Sequence, residues 1–142
     1  MGSLMTDNIT TTGDLTRLAA HVIDALSGYD HLPALGSIGV SQWGRVYLSP
    51  RYDFHKNAEV RQVCLWADAF GVPVVIDLSS SGEIAAVLDL NGVEARLDKY
   101  ITHRQAYEYG AALGIPVSPG GQVQVEAAAL LAVLDQQYGV AV

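Results

Sequence analysis

Between Val72 and Asp98 the chain reads VPVVIDLSSSGEIAAVLDLNGVEARLD, three alternating runs divided by turn residues. Successive side chains on a strand point to opposite faces, so each run offers one apolar and one mixed face. Val74, Ile76 and Leu78 make the apolar side of the first. Ile84, Ala86, Leu88 and Leu90 make that of the second, and Val93, Ala95 and Leu97 that of the third. Asn91-Gly92 is a strong hairpin signal, because a type I′ turn needs positive φ at both central residues. Ser80-Ser81-Gly82 supplies the other turn. The stretch specifies an antiparallel meander with one greasy side, and a chain containing it must place helices there.

The flanks carry helix patterns. Leu15, Leu18, Ala19, Val22, Ile23 and Leu26 have helical spacing, with Asp14 as the expected cap and Gly28 as the stop. Asn57 is the expected cap of a second helix over 58–70, whose stripe is Val60, Val63, Cys64 and Ala67, closed by Gly71 and Pro73. Thr102 and Gln105 form a capping box ahead of a third helix with Ala106, Tyr109, Gly110 and Leu113 inward. Residues 115–121 read as a Pro/Gly loop, and a last helix is expected from about Val125 to Tyr138. Ser37–Gln42 and Arg45–Ser49 read as a first hairpin across Trp43-Gly44, with Ile38, Val40, Val46 and Leu48 sharing a face opposite Arg45 and Tyr47.

The expectation is one α+β domain over residues 14–142, preceded by a disordered tail at 1–13. The order is α-β-β-α-β-β-β-α-α, with about five antiparallel strands and four helices. Pairing does not say whether hairpin and meander make one sheet or two.

Eight basic against fifteen acidic residues give a net charge of −7, which repels nucleic acid at long range. The last helical stretch, QVQVEAAALLAVLDQQYG, has no Arg or Lys, which argues against a helix-turn-helix with its preceding helix. No secretory signal or bilayer-length apolar run stands in the sequence, so a cytoplasmic protein without membrane or nucleic-acid partners is expected. Met1–Thr6 fits an N-myristoylation pattern without the second membrane signal that anchoring needs, and reads better as a start followed by a second start at Met5. Asn8-Ile9-Thr10 is a glycosylation sequon, which means nothing without secretion.

Chemistry-bearing sets are sparse. Cys64 lies on the apolar stripe and reads as an inert core residue. None of His21, His31, His55 and His103 pairs with another at i, i+4. Asp53-Phe54-His55 in a loop is the best local acid–base or metal pair, and two ligands are too few for a metal site. Asp77, Asp89 and Asp98 share the mixed face of the meander, either as solvated ion pairs with Arg96 or as a carboxylate cluster. The Ser-Pro-Gly-Gly turn at 118–121 lacks the residues of a phosphate loop. No catalytic set, metal site or cofactor site is therefore assigned.

What remains is aromatic. Trp43, Tyr47, Tyr52 and Phe54 gather around the first hairpin and its following loop, with Arg45 and Arg51 beside them. Tyr, Trp and Arg dominate interface energetics, so these six are the expected contacts for a protein partner, a second copy included. Trp43 is expected to fold back over the edge of the core, since Trp is usually largely buried, the alternative being an exposed anchor. The reading that follows is a non-enzymatic binding or regulatory module. Its rivals are a small-molecule or metal-binding domain or enzyme using the carboxylates, and an acidic nucleic-acid mimic.

The segments GVSQWGRVYLSP, VRQVCLWADAFGVPVVIDL and LNGVEARL are similar in pattern to uncharacterised small α+β proteins of actinobacteria and their phages. The element order also resembles that of type III secretion chaperone-like domains. The first resemblance implies a phage or mobile-element setting, and neither implies an activity.

Overall fold

Asn91 and Gly92 both adopt positive φ, 54° and 94°, and Leu90 pairs with Val93 across them, as the type I′ turn demands. The computed structural model describes residues 9–138. In order these form α1 (Thr12–Leu26), a 3-10 turn (Ser27–Tyr29), β1 (Leu35–Val40), β2 (Val46–Pro50), α2 (Ala58–Phe70), β3 (Val74–Asp77), β4 (Glu83–Leu90), β5 (Val93–Tyr100), α3 (His103–Leu113), β6 (Gln122–Val125) and α4 (Ala127–Tyr138). The domain is α+β, with four helices and one six-stranded, mostly antiparallel sheet among the described residues.

The strands lie in the order β1-β2-β5-β4-β3-β6. The hairpin joins the meander by one parallel pairing, Val46 with Ala95 and Leu48 with Leu97, so hairpin and meander are one sheet. A parallel pair needs a long crossover. Here it runs through α2, β3 and β4. The inner face carries Val46, Leu48, Val74, Ile76, Ile84, Ala86, Leu88, Leu90, Val93, Ala95 and Leu97, all buried with Val60, Val63, Cys64 and Ala67 of α2. The outer face carries Tyr47, Arg96 and Val87 in one cross-strand row, and Val87 is 46% exposed.

Three expectations need correction. The sheet has a sixth strand, because Gln122–Val125 pairs antiparallel with β3 and the last helix begins only at Ala127. Val123 and Val125 alternate with Gln122 and Gln124, a period-2 signal too short to outweigh the helical pattern beyond it. Helix α1 starts at Thr12, ahead of Asp14. Thr11 is its cap and accepts from the Asp14 N–H at 3.0 Å, while Asp14 sits three residues on and closes a capping box. The first hairpin turns through three residues. Gly44 N–H donates to the Ser41 carbonyl, Ser41 N–H to that of Arg45, and Gly44 takes φ 74°. The start-site and myristoylation readings lie outside the described residues, as does Asn8 of the sequon.

Asn57 does occupy the cap position of α2, with φ 63° and no side-chain cap bond. Its Oδ1 instead accepts from Tyr109 Oη and Gln105 Nε2, which ties α2 to the start of α3. Thr102 and Gln105 make the expected capping box. His21 Nε2–H donates to the carbonyl of Leu90 at 3.0 Å, holding α1 to the end of β4.

The two faces of β4 predict opposite behaviour. Leu88→Ala, at a fully buried position, is expected to cost about 2–5 kcal/mol in urea unfolding. Val87→Ala, one residue along on the outer face, is expected to stay within about 0.5–1 kcal/mol. Similar losses at both would show that the outer face is covered.

Candidate functional site

The six expected contact residues do not form one patch. Trp43 stands in the β1–β2 turn and Arg51, Tyr52 and Phe54 follow the other end of β2. That separation is about 20 Å at the rise of a strand. Tyr47 and Arg45 lie between, exposed. The structure thus divides the set into a turn and a loop.

Trp43 does not fold back over the core. It is 74% exposed, beside a hollow of about 590 Å³ that it lines with Gln42, Leu15 and Ile9–Thr12. The three-residue turn explains this. Gly44 absorbs the reversal, and the residue before it is carried outward at the apex. A burial average over all tryptophans holds no information about turn geometry.

The loop is the better-built site. Arg51–His55 faces Pro33 and Ala34 across a groove of about 430 Å³, also lined by Gln62 of α2. Tyr52 and Phe54 are each 79% exposed at its rim. Exposed loop residues are ordinarily mobile, yet this loop is fastened to α2 at its Arg51 end and braced by a local turn further on. Gln62 Oε1 accepts from the Arg51 N–H at 2.8 Å, and Gln62 Nε2 donates to the Arg51 carbonyl at 2.9 Å. One side-chain amide thereby satisfies both main-chain groups of Arg51, as a neighbouring strand would. Further on, Asp53 Oδ1 accepts from the backbone N–H of His55 at 2.9 Å and from its Nδ1 at 2.8 Å. The first of these bonds, then the second, holds the Asp53 carboxyl below the usual range, with Arg51 nearby contributing. The His55 ring stacks on Phe54 at a centroid distance of 4.2 Å.

The opposite wall hangs from the same helix. Trp66, one turn beyond Gln62, donates its Nε1–H to the Pro33 carbonyl at 2.9 Å. Both walls of the groove are therefore hydrogen-bonded to one face of α2, at i and i+4. Neither Gln62 nor Trp66 belonged to the expected site. Gln62 gives no sequence signal for this role, and a Trp beside the α2 stripe signals burial, not a tie to Pro33.

The carboxylates do not converge on a reaction centre. Asp77 accepts from the Ser79 N–H at 2.8 Å and from Gln122 Nε2 at 2.8 Å, and Ser79 foremost holds its carboxyl below the usual range. Asp89 is taken by the Gly92 N–H at 2.7 Å, inside the hairpin turn. Asp98 and Glu83 both bind Arg96. Among the described residues no group of three His, Cys, Asp or Glu side chains could hold a metal ion, so Asp53 and His55 stay a pair. His31 is exposed, with its ring 6.1 Å from that of Tyr29, and His103 Nε2 lies 3.3 Å from the Ser80 carbonyl. Cys64 is fully buried, and burial pushes its thiol up to about 12. Among the described residues no helix is long and apolar enough to cross a membrane.

No family model matches this chain, and neither a curated protein nor a solved structure matches it.

Two measurements check the site. Gln62→Ala removes both ties of Arg51, at about 1 kcal/mol each. It should speed hydrogen exchange at the Arg51 amide while the β4–β5 amides keep their protection. Unchanged Arg51 protection would mean that the loop is ordered by something else. Cys64 should resist Ellman's reagent at pH 8 in the folded protein and react at once in denaturant, because only the thiolate attacks.

Proposed function

We propose that this chain is a non-enzymatic protein-binding module that docks a segment of a partner beside Tyr52 and Phe54. The observation that carries the reading is the pair of aromatics, 79% exposed, on a loop fastened to α2 through Gln62. Exposed aromatic rings have a solvation cost that a partner relieves, and Tyr and Arg are the commonest interface hot spots. A fastened loop has already lost the conformational freedom that binding would otherwise remove. The partner is a protein, a second copy of the chain among the candidates. The pattern similarity to actinobacterial and phage proteins names the cells in which to look.

The Asp53–His55 pair supports a second reading, in which the same groove holds a small ligand or a cation. At a groove this open, water competes for every polar contact. A thermal-shift screen of divalent metals and metabolites is expected to leave the melting temperature unmoved, and a saturable rise would favour the ligand reading.

Affinity capture from an actinobacterial lysate tests the first reading. The Tyr52→Ala, Phe54→Ala double variant should melt within about 2 °C of wild type and retain at least tenfold less of any specifically captured protein, about 1.4 kcal/mol or more of binding. Trp43→Ala, about 20 Å away, separates the two patches. Capture lost with Trp43 and kept without the loop aromatics would move the site to the turn. A large drop in melting temperature for the double variant would return both rings to a structural role.

A further inference from the structure

Strand β1 ends the sheet, and its far side has no neighbouring strand among the described residues. The bond from Ser41 N–H to the Arg45 carbonyl sets the alternation of the ladder. Ser37 and Gly39 exchange main-chain bonds with β2, so Ile38 and Val40 turn theirs outward. Native edge strands are shielded by lysine, proline or inward charge. The run LGSIGV has none of these, and its one irregularity lies between Leu35 and Ser37. Ile38 sits on the helix side, opposite Leu48, and is nevertheless 43% exposed because the sheet stops there. The edge is ready to accept one more strand.

This edge leads into the groove. Pro33 and Ala34 immediately precede β1, and Arg51 follows Pro50, the partner of Leu35. The backbones touch here, since a Cβ on Gly36 would lie 3.1 Å from the Arg51 Cα. A strand added antiparallel to β1 would run toward the groove and deliver its C-terminal carboxylate there. A parallel one would deliver its ammonium end.

Charge decides between the two. Arg17, Arg61, Arg96 and Arg104 each reach a carboxylate within the fold. Among the described residues Arg45 and Arg51 make no ion pair, in a chain of net charge −7. Arg51 lines the groove. The neighbouring Asp53 carboxylate is taken by the backbone N–H and the ring of His55, so the Arg51 guanidinium, outside any ion pair among the described residues, repels an ammonium and can take a carboxylate in bidentate fashion.

We propose that β1 accepts the C-terminal strand of a partner protein, antiparallel, with its terminal carboxylate at Arg51 and its last side chain in the groove beside Tyr52 and Phe54. Main-chain bonds to Ile38 and Val40 supply affinity, and the groove supplies selectivity. The proposal rests on the binding-module reading and adds the polarity and chemistry of the partner segment.

The test is a display library of random octapeptides with free C-termini, screened against the full chain, with enriched sequences then synthesised and labelled. Binding should fall at least tenfold when the peptide is amidated and when Arg51→Gln is introduced, and the two losses should not add. Ile38→Pro should abolish binding. It removes an outward N–H and leaves the β1–β2 ladder intact, which the melting curve checks. N-methylation of alternate peptide amides gives the same information without touching the protein. No enrichment over a scrambled library would overturn the proposal, as would equal binding of acid and amide forms or indifference to N-methylation. Hits that need Tyr52 and Phe54 but neither the carboxylate nor the edge would keep the groove reading and remove this one. Hits that need the edge and Arg51 but not the two rings would overturn the seat proposed for the last side chain.

Discussion

Helix α2 is the part on which the other elements depend. Its apolar side is ordinary, with Val60, Val63, Cys64 and Ala67 closing the inner face of the sheet. Its polar side chains, Asp68 apart, are not ordinary, since each is committed to a different element. Asn57 reaches α3 through Tyr109, and Glu59 meets Lys99 of β5 at 3.3 Å. Arg61 binds Asp135 of α4 at 2.8 Å, Gln62 holds the loop after β2, and Trp66 holds the lead into β1. Hydrogen bonds of this kind are individually worth only about 1 kcal/mol. Their weight lies in number and placement, for they fix the one crossover helix against everything the parallel β2–β5 pairing brings together.

That placement has a consequence for the surface. A loop between a strand and a helix would normally owe its order to its own turn chemistry. Here Asp53 and His55 provide a local turn, but the register of the loop against the sheet comes from Gln62, and the facing wall from Trp66. Both walls of the groove are therefore positioned by α2. Tyr29, stacked on Phe70 at 4.7 Å and 5.9 Å from Trp66, packs the same helix from the side of α1, so the wall at Pro33 is backed by aromatic contacts. The same helix that closes the core thus positions the loop that carries the exposed rings of Tyr52 and Phe54.

Local chemistry was legible in the sequence and long-range partnership was not. Asn91-Gly92, the capping box at Thr102, the stop at Gly71 and the α2 stripe all follow from residues within a turn of one another, and each is found where it was expected. Asp14 was misplaced by three residues because a threonine stood upstream with the same capping ability. Strand β6 escaped because four alternating residues cannot outvote the helix that follows them. The parallel pairing of β2 with β5 leaves no trace in either strand, since both alternate in the same way whichever neighbour they take. At the site, Trp43, Arg45, Tyr47, Arg51, Tyr52 and Phe54 are all exposed, but the polar ties around them have no signal in the sequence. Gln62 to Arg51 spans eleven residues and Trp66 to Pro33 thirty-three. Trp43 was judged by what tryptophans do on average, whereas a glycine-assisted turn settled its position.

The charge pattern then bears on how a partner would arrive. The outer face of the sheet carries Asp77, Glu83, Asp89, Glu94 and Asp98, with Arg96 among them holding only two. At long range the chain is anionic, and an acidic segment approaching it is repelled within a Debye length, about 8 Å at physiological salt. At contact, the same segment would meet Arg51, which makes no ion pair among the described residues. The two effects respond to salt in opposite directions. Screening speeds encounter between like-charged bodies and weakens an exposed guanidinium–carboxylate pair once formed. Association and dissociation rates would then both rise with ionic strength, a pattern that separates a carboxylate held at Arg51 from a purely apolar contact with Tyr52 and Phe54, whose dissociation rate should not increase with added salt.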